Sequence, residues 1–225
     1  MTLSAVLKVG VSEIRWHGRG GQGAISSAQL LAHAAYLGGY RGVTSAPTFG
    51  AERRGAPVTA STRLSTEPLR MFSQIVNPDV VIVLDDTLLE CADATAGLKE
   101  GGWLLINSHL GPDAFASGVR FRVAAVDATR IATDMGLIVA GSVIVNTAML
   151  GAFARATGLV SLEDVRRSIS AKYSAALAQK NFEAARMTYE LTLMAKAGSS
   201  SCSTAVCQAT TNCAVAEDRD PAKLK

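Results

Sequence analysis

Residues 12–37 read SEIRWHGRGGQGAISSAQLLAHAAYL, and this stretch decides the fold class. Its first part, Ser12–Trp16, predicts a short strand. A glycine loop follows, and residues 22–37 predict a helix because Ile25, Leu31 and several alanines recur at helical spacing. A strand, a glycine loop and a helix in this order are typical of the first βα unit of an α/β protein.

Strands and helices continue to alternate beyond this unit. The continuous apolar run DVVIVL at residues 79–84 predicts a central parallel strand that is covered on both faces. The other predicted strands are 41–46, 58–65, 102–107 and 121–126. The other predicted helices start at Asp86, at 127, at 143 and at Ser161 (with a capping box to Asp164), and a last one carries Ala184, Met187, Leu191 and Met194 on one stripe. This pattern predicts a three-layer α/β/α sandwich with a mainly parallel sheet and a helical C-terminal part.

The composition predicts one domain and a tail. Hydrophobic residues make up 48% of the 225 residues, which excludes a disordered chain. The predicted domain covers residues 1–197. Residues 198–225 are rich in Ser, Thr, Cys and Ala without periodicity and are predicted to be a tail. Its three thiols, Cys202, Cys207 and Cys213, could ligate a metal, but their spacing matches no standard zinc or ferredoxin site, so a tail without metal is favoured.

The net charge of +3 is unevenly distributed. Residues 1–75 hold eight basic and three acidic residues, and the remainder holds fourteen basic and sixteen acidic ones. A basic first third suits an anionic ligand or an acidic partner, although arginines at strand ends would give the same count. The most apolar stretch, 136–153, is interrupted by polar residues and predicts a buried helix. No signal peptide or transmembrane span is recognisable, so we expect a cytoplasmic protein that binds neither membrane nor nucleic acid.

The glycine loop is a candidate phosphate site. Gly18, Gly20 and Gly23 form G-x-G-x-x-G between the first strand and its helix. Glycines let the backbone approach an anion, and the helix N-terminus offers unpaired N–H groups and a positive dipole end. The same glycines would also suit a tight turn with no ligand. A dinucleotide site needs an acid about 20 residues further on. Residues 39–42 read GYRG instead and hold no acid, which disfavours NAD. Only a dinucleotide with a phosphorylated ribose stays possible, because the arginine of this segment could bind the phosphate.

Four segments carry a family resemblance. They are WHGRGGQG at residues 16–23, PTFGAERRGAPV at 47–58, NPDVVIVLD at 77–85 and GSVIVNTAMLG at 141–151. In this order and spacing, the chain resembles the gamma subunit, or gamma domain, of pyruvate and related 2-oxoacid:ferredoxin oxidoreductases. The resemblance covers about residues 11–195 and does not include the tail.

The resemblance implies a Rossmann-like domain in a hetero-oligomeric enzyme of anaerobic metabolism. That enzyme oxidatively decarboxylates a 2-oxo acid to acyl-coenzyme A and CO₂ and passes the electrons to ferredoxin or a similar acceptor. Its cofactors are thiamine diphosphate, Mg²⁺, [4Fe–4S] clusters and coenzyme A, mostly held by alpha, beta and delta-type partner subunits. The sequence lacks the C-x₂-C-x₂-C-x₃-C run of a [4Fe–4S] site. We therefore expect a structural, coenzyme A-side subunit that is inactive alone, and its 2-oxo acid stays open.

The candidate site residues fall into two groups. The cofactor-binding group is the glycine loop, namely His17, Gly18, Arg19, Gly20, Gly21, Gln22 and Gly23. His17 could bond a phosphate or a partner residue, or pack against the backbone, whereas Arg19 would add a guanidinium to an anion site. The second group, at a subunit interface or in contact with an anion, is Phe49, Glu52, Arg53 and Arg54. Adjacent arginines repel each other unless a carboxylate or a phosphate pairs them, and an interface is favoured over direct catalysis. No catalytic residue and no metal site is predicted on this chain.

Several single residues have more than one interpretation. Asp85 and Asp86 end the strongest strand and could act as an acid–base pair, but a cap on the following helix is favoured. Asn146 lies in an apolar helix and needs a hydrogen-bond partner. Arg63 is predicted to be a surface charge. The alternative function is a free-standing module that binds NAD(P) or coenzyme A, and such a module would work as a monomer.

Overall fold

The computed structural model describes residues 10–47, 54–70, 73–91 and 93–195. In these ranges the strands are β1 (Val11–Arg19), β2 (Gly42–Pro47), β3 (Pro57–Ser65), β4 (Val80–Val83), β5 (Trp103–Asn107), β6 (Arg122–Val126), β7 (Ile138–Val139), β8 (Ser142–Val143) and β9 (Leu193–Met194). The helices are α1 (Ala24–Leu37), α2 (Leu88–Cys91), α3 (Ala128–Asp134), α4 (Asn146–Thr157), α5 (Leu162–Lys172) and α6 (Ala175–Leu191), with a short 3₁₀ helix at Pro112–Phe115. The predicted tail lies outside the described residues.

One seven-stranded sheet organises the fold, in the order β2-β3-β1-β4-β5-β6-β9. Strands β1, β4, β5 and β6 are parallel neighbours. Strand β3 is antiparallel to both β1 and β2, and β9 is antiparallel to β6. Since β2 therefore runs in the same direction as β1, most strands share one direction. The predicted α/β fold with a mainly parallel sheet is confirmed, and β3 is the unexpected element beside β1.

The centre of the sheet is the strand that the apolar run predicts. All four residues of β4 are buried, and the strand pairs in parallel with β1 on one side and β5 on the other. A strand buried on both faces needs apolar side chains in both directions, which explains a run without alternation. The carboxyl ends of β1 and β4 therefore lie side by side.

The two faces of the sheet are covered unequally. The long helices pack on one face, where the main core includes Trp16, Leu31 and Phe153, none of them exposed. The other face has a smaller core, built on Val81 and Val83 of β4, and its helical cover consists of α2 and the 3₁₀ helix. The second outer layer of the predicted sandwich is thus thin. None of the described helices has the length and hydropathy that a bilayer span would need.

Helix α4 is the apolar helix that the sequence predicts, and its cover is internal. Residues 146–154 are all buried, with α6 and α1 among the helices that pack on α4. A Cβ on Gly151 would lie 1.8 Å from the carbonyl oxygen of Ala185, so α4 and α6 are in backbone contact there. Helix α5 begins with the predicted capping box between Ser161 and Asp164.

Three local predictions are wrong. The stretch 136–153 is not one helix, because residues 138–143 form the β7–β8 hairpin and the helix begins only at Asn146. Leu191 is the last residue of α6 and Met194 lies in β9, and both are exposed, so the stripe does not extend to them. Arg63 is buried, because its guanidinium pairs with Glu13 across the β1–β3 ladder.

Candidate functional site

The glycine loop connects the carboxyl end of β1 to α1. Gly21 and Gly23 have φ angles of 100° and 87°, a left-handed conformation that favours glycine. A Cβ on Gly23 would also lie 3.0 Å from the Cβ of Asn146, the first residue of α4. Gly18 is still part of β1, and a Cβ there would press on Leu84. Two glycines are therefore required by backbone conformation and two by close packing, with Gly23 in both sets.

The first turn of α1 presents free N–H groups. No side chain caps this helix, whose N-cap is Gly23. Among the described residues, the N–H groups of Ala24, Ile25 and Ser26 find no acceptor, whereas the N–H of Ser27 already bonds to the carbonyl of Gly23. Three unpaired N–H groups and the positive end of the helix dipole make this turn attractive to an anion.

A cleft of about 510 Å³ opens in front of this turn. Its wall is formed by the glycine loop, the first turn of α1, Val58 of β3 and the β7–β8 hairpin with the residues that follow it. Val58, Val139 and Ile144 are the apolar part of its lining beyond α1, while the α1 terminus and Arg54 supply polar groups. The cleft can therefore accept a ligand with an anionic group and a less polar arm.

Arg54 joins the second predicted group to the glycine loop. Its guanidinium donates to the carbonyl of Ala140 and, at 3.2 Å, to Oγ of Ser142, both in the hairpin. The turn that carries it is bound to the loop by reciprocal backbone bonds, from Gly20 N to the Ala56 carbonyl at 2.9 Å and from Gly55 N to the Gly20 carbonyl at 3.0 Å. Arg54 and the loop thus line one cleft, whereas Phe49, Glu52 and Arg53 lie outside the described residues.

Arg19 is held by an acid rather than directed freely into the cleft. Its Nε donates to Oδ2 of Asp85 at 3.0 Å, Nη1 to the carbonyl of Gly55 at 3.2 Å and Nη2 to Oγ1 of Thr87 at 2.7 Å. Gln22 donates to the same Asp85 oxygen at 3.0 Å and accepts from the N–H of Arg19 at 2.8 Å. Oδ1 of Asp85 accepts from the N–H of Thr87, which precedes α2, so the cap on that helix stays a prediction.

The charge of Asp85 is stabilised by these contacts. Partial burial would raise the pKa of this carboxyl, but hydrogen bonds from Thr87 and Gln22 and the charge of Arg19 outweigh it and lower the pKa below its ordinary value. Among the hydrogen bonds of the described residues, the neighbouring Asp86 accepts one of 2.6 Å from Oγ of Ser108 and none from the glycine loop, so the two acids have different partners.

His17 lies on the face of β1 opposite to α1. Side chains alternate along a strand, and Trp16 is the neighbour that faces the helices. Burial and, to a smaller extent, the charge of Arg15 together lower the pKa of His17 to about 4. The neutral ring accepts a hydrogen bond of 3.1 Å from Nε of Arg15. His17 is not among the residues that line the cleft, and its hydrogen-bond partner is the Arg15 side chain rather than the backbone.

A second, more polar crevice lies at the carboxyl ends of β4, β5 and β6. It measures about 470 Å³, and Gln22, Asp85, Asp86, Asn107 and Asp127 are among its lining residues. Ligands of open α/β sheets commonly bind at such strand ends. Here the polar groups are largely paired with each other, as when Asn107 bonds to the Leu84 carbonyl and to Thr129.

The hairpin is the part of the site that sequence reasoning missed. Its two-residue turn, Ala140–Gly141, has φ angles of 47° and 78°, as a tight hairpin between right-twisted strands requires. The glycine was a signal for this turn, but strands of two residues are too short to show alternation. Ile138 and Val139 are both exposed beside the cleft.

The arrangement differs from a dinucleotide site. In such sites a parallel strand next to the first one carries the ribose-binding acid. On that side β1 is followed by the antiparallel β3, which places its amino end rather than a carboxyl end beside the glycine loop. Among the described residues, no group of three His, Cys, Asp or Glu side chains is placed to hold a metal ion.

Comparisons with known proteins give the relatives of this chain. The family model described as "Pyruvate ferredoxin/flavodoxin oxidoreductase" matches residues 13–191. The "Pyruvate/ketoisovalerate oxidoreductases common subunit gamma" of Thermococcus litoralis is 47% identical over 185 residues, which are 81% of this chain and 97% of that protein. The "Pyruvate synthase subunit PorC" of Methanothermobacter marburgensis is 46% identical over 178 residues, 79% of this chain and 96% of that one. The crystal structure of the pyruvate oxidoreductase subunit PORC of Thermotoga maritima matches with a TM-score of 0.71 and 38% identity, covering 83% of this chain and 99% of that one.

Proposed function

Because the chain belongs to the pyruvate ferredoxin/flavodoxin oxidoreductase family, we propose that its cleft binds a phosphate-bearing part of coenzyme A in the assembled enzyme. The chain is a gamma subunit of a pyruvate or related 2-oxoacid:ferredoxin oxidoreductase complex. In this reaction coenzyme A is the acceptor of the acyl group, so a site for it has to lie close to the centre where the 2-oxo acid is decarboxylated.

The convergence of the α1 terminus and Arg54 on one cleft carries the proposal. A phosphate at this position would accept hydrogen bonds from the N–H groups of the first turn and would lie at the positive end of the helix dipole. Arg54, already oriented by the hairpin, would add a charged donor at the rim. The apolar lining residues Val58, Val139 and Ile144 suit the pantetheine arm, which is long and only weakly polar.

The glycine loop contributes backbone rather than side chains in this role. Gly20 and Gly21 line the cleft without a Cβ, and so a phosphate can approach the main chain closely. Gln22 and Arg19 are engaged with Asp85 and hold the loop. His17 is assigned no ligand contact, since it lies on the other face of β1.

The redox chemistry is assigned to other subunits. Thiamine diphosphate with Mg²⁺ and the [4Fe–4S] clusters would be held by alpha, beta and delta-type partners, and the gamma subunit would be inactive alone. Two observations support this division: the sequence has no ferredoxin-type cysteine run, and the Thermococcus litoralis relative is named a subunit common to two oxidoreductases. Ferredoxin would be reached through the complex. Glu52 and Arg53 are assigned to the contact with a partner subunit.

The test uses Ser26, which lines the cleft in the first turn of α1. Ser26→Asp places a negative charge where the phosphate would lie, yet an acid in the first turn favours the helix, so folding is preserved. In the assembled complex we expect the KM for coenzyme A to rise at least tenfold, while the KM for the 2-oxo acid stays within twofold. Ser26→Asn is the uncharged control and should resemble the parent. An unchanged KM for coenzyme A in Ser26→Asp would refute the proposed site.

A further inference from the structure

The carboxylate of Asp85 connects the glycine loop to the segment that follows β4. It follows β4, where the carboxyl ends of β1 and β4 lie side by side. One oxygen accepts from Nε of Arg19 and from Nε2 of Gln22, both at 3.0 Å. The other accepts from the N–H of Thr87 at 3.2 Å and from its hydroxyl at 2.5 Å. With four donors on two oxygens, this acid is bound from two directions.

The two groups of donors come from different elements. Arg19 and Gln22 belong to the glycine loop, whereas Thr87 is the last residue of the connection from β4 to α2. Arg19 extends the connection, because it also donates to the carbonyl of Gly55 in the turn that carries Arg54. One ion pair thereby fixes the loop to the central strand and to the Arg54 turn. We call the set Arg19, Gln22, Asp85 and Thr87 the clamp.

The clamp also separates the two cavities of this sheet end. Arg19 lines the cleft in front of α1, while Gln22 and Asp85 line the polar crevice beyond β4. The side chains of Arg19 and Asp85 are only 30% and 19% exposed, so water screens their interaction less than it would on an open surface. The position of the loop therefore depends on a pair that is partly shielded from solvent.

We propose that Asp85 is a positioning residue for coenzyme A: through Arg19 and Gln22 it holds the glycine loop so that the N–H groups of the first α1 turn face the cleft. The inference rests on the proposed function, because it assumes that the cleft is the coenzyme A site. Asp85 itself does not touch the ligand, and Arg19 acts as a tether rather than as a phosphate ligand. The lowered pKa of Asp85 agrees with a carboxylate that stays charged at neutral pH.

The experiment compares four variants in the assembled complex: Asp85→Asn, Arg19→Gln, the double variant and Asp86→Asn. Asp86→Asn is the matched control, since Asp86 is the adjacent acid and bonds to Ser108 instead of to the loop. We expect Asp85→Asn and Arg19→Gln each to raise the KM for coenzyme A about tenfold, with the KM for the 2-oxo acid unchanged. The double variant should equal either single variant, because each of them breaks the same clamp.

The outcomes separate the alternatives. If Asp85→Asn resembles Asp86→Asn, or tightens coenzyme A binding, Asp85 does not position the loop. If the two effects multiply in the double variant, Arg19 binds the phosphate directly and the tether is refuted. A purely structural role would lower the melting temperature and the yield of complex without the selective change in KM. Should Asp85→Asn fail to assemble, Arg19→Gln and the double variant, which leave no unpaired arginine, decide the question.

The same assay keeps the two proposals apart. Ser26→Asp, measured in parallel, reports on the cleft and not on the clamp. If Ser26→Asp leaves the KM for coenzyme A unchanged, the proposed function fails. If Ser26→Asp raises it and Asp85→Asn does not, the cleft stands and only the role of Asp85 is overturned.

Discussion

Replacing Gly23 by alanine tests the contact between the glycine loop and α4. Gly23 has a φ of 87°, and a left-handed conformation costs an L residue roughly 1–2 kcal/mol. In addition the new Cβ would lie 3.0 Å from the Cβ of Asn146, which cannot move without α4. Overpacking of this kind typically costs about 1–3 kcal/mol, so Gly23→Ala should lower the free energy of unfolding by about 2–5 kcal/mol.

Gly158 provides a matched control for this substitution. It ends α4 with a φ of 65°, and a Cβ there would meet nothing within 4 Å. Gly158→Ala should therefore lose only the roughly 1–2 kcal/mol of stability that a left-handed alanine costs. The entropy that alanine removes from the unfolded chain is the same in both variants. The difference between the two variants measures the contact with Asn146.

Urea unfolding of the purified chains gives the two free energies, and the KM for coenzyme A of the assembled complex gives the functional effect. We expect Gly23→Ala to lose more stability than Gly158→Ala and to raise the KM, because the first turn of α1 shifts. Equal losses of stability would show that α4 does not restrict the loop. A raised KM in Gly158→Ala, which lies away from the cleft, would contradict the assignment of the site.

Three further predictions concern stability. Gly151→Ala should destabilise the chain by about 2 kcal/mol or more despite the better helix propensity of alanine, because its Cβ would lie 1.8 Å from the Ala185 carbonyl oxygen. Gly111→Ala is the control and should not destabilise the chain, because a Cβ there meets open space. Thermal melts of both variants test this. His17 has a pKa of about 4 in the folded chain and about 6.5 when unfolded, so the unfolded state binds the extra proton and the free energy of unfolding should fall by up to about 3 kcal/mol as pH drops from 7 to 4. Urea unfolding across this pH range should show a flatter pH dependence for His17→Gln. An identical pH dependence in both chains would contradict the lowered pKa of His17. Arg63→Met should lower the free energy of unfolding by about 3 kcal/mol, because it leaves Glu13 half-buried and unpaired. Adding Glu13→Gln to the same chain should recover part of this loss. Purely additive losses in the double variant would mean that the two residues do not interact.

The features that the sequence predicts correctly are local. The buried strand β4, the strand–loop–helix order at residues 11–37 and the capping box at Ser161 each depend on residues close in the chain. The burial of α4 follows from an apolar circumference, which needs cover wherever the helix lies. Such signals require no knowledge of which strands pair.

The features that the sequence does not predict depend on distant partners. Arg63 becomes buried because Glu13, on another strand, meets it in the β1–β3 register. Arg19 is held by Asp85, which β4 brings to the loop. Its interpretation as an anion ligand followed from its place in the glycine loop and could not include that distant acid. Arg54 reaches the glycine loop because β3 returns antiparallel to β1. The hairpin at residues 138–143 consists of strands too short for a periodic pattern.

The pairing of β1 with β3 also constrains how the sequence can change in length. The register runs without interruption from Val11 opposite Ser65 to Arg19 opposite Pro57. With the rest of β3 held in register, one residue inserted within the strand would move the Arg54 turn by about 3.4 Å along β1. It would also turn the side chains between that turn and the insertion to the wrong face. An insertion after Ser65 would leave the turn in place. We therefore expect related chains to vary in length between β3 and β4, while the segment from Arg54 to Ser65 keeps a fixed number of residues.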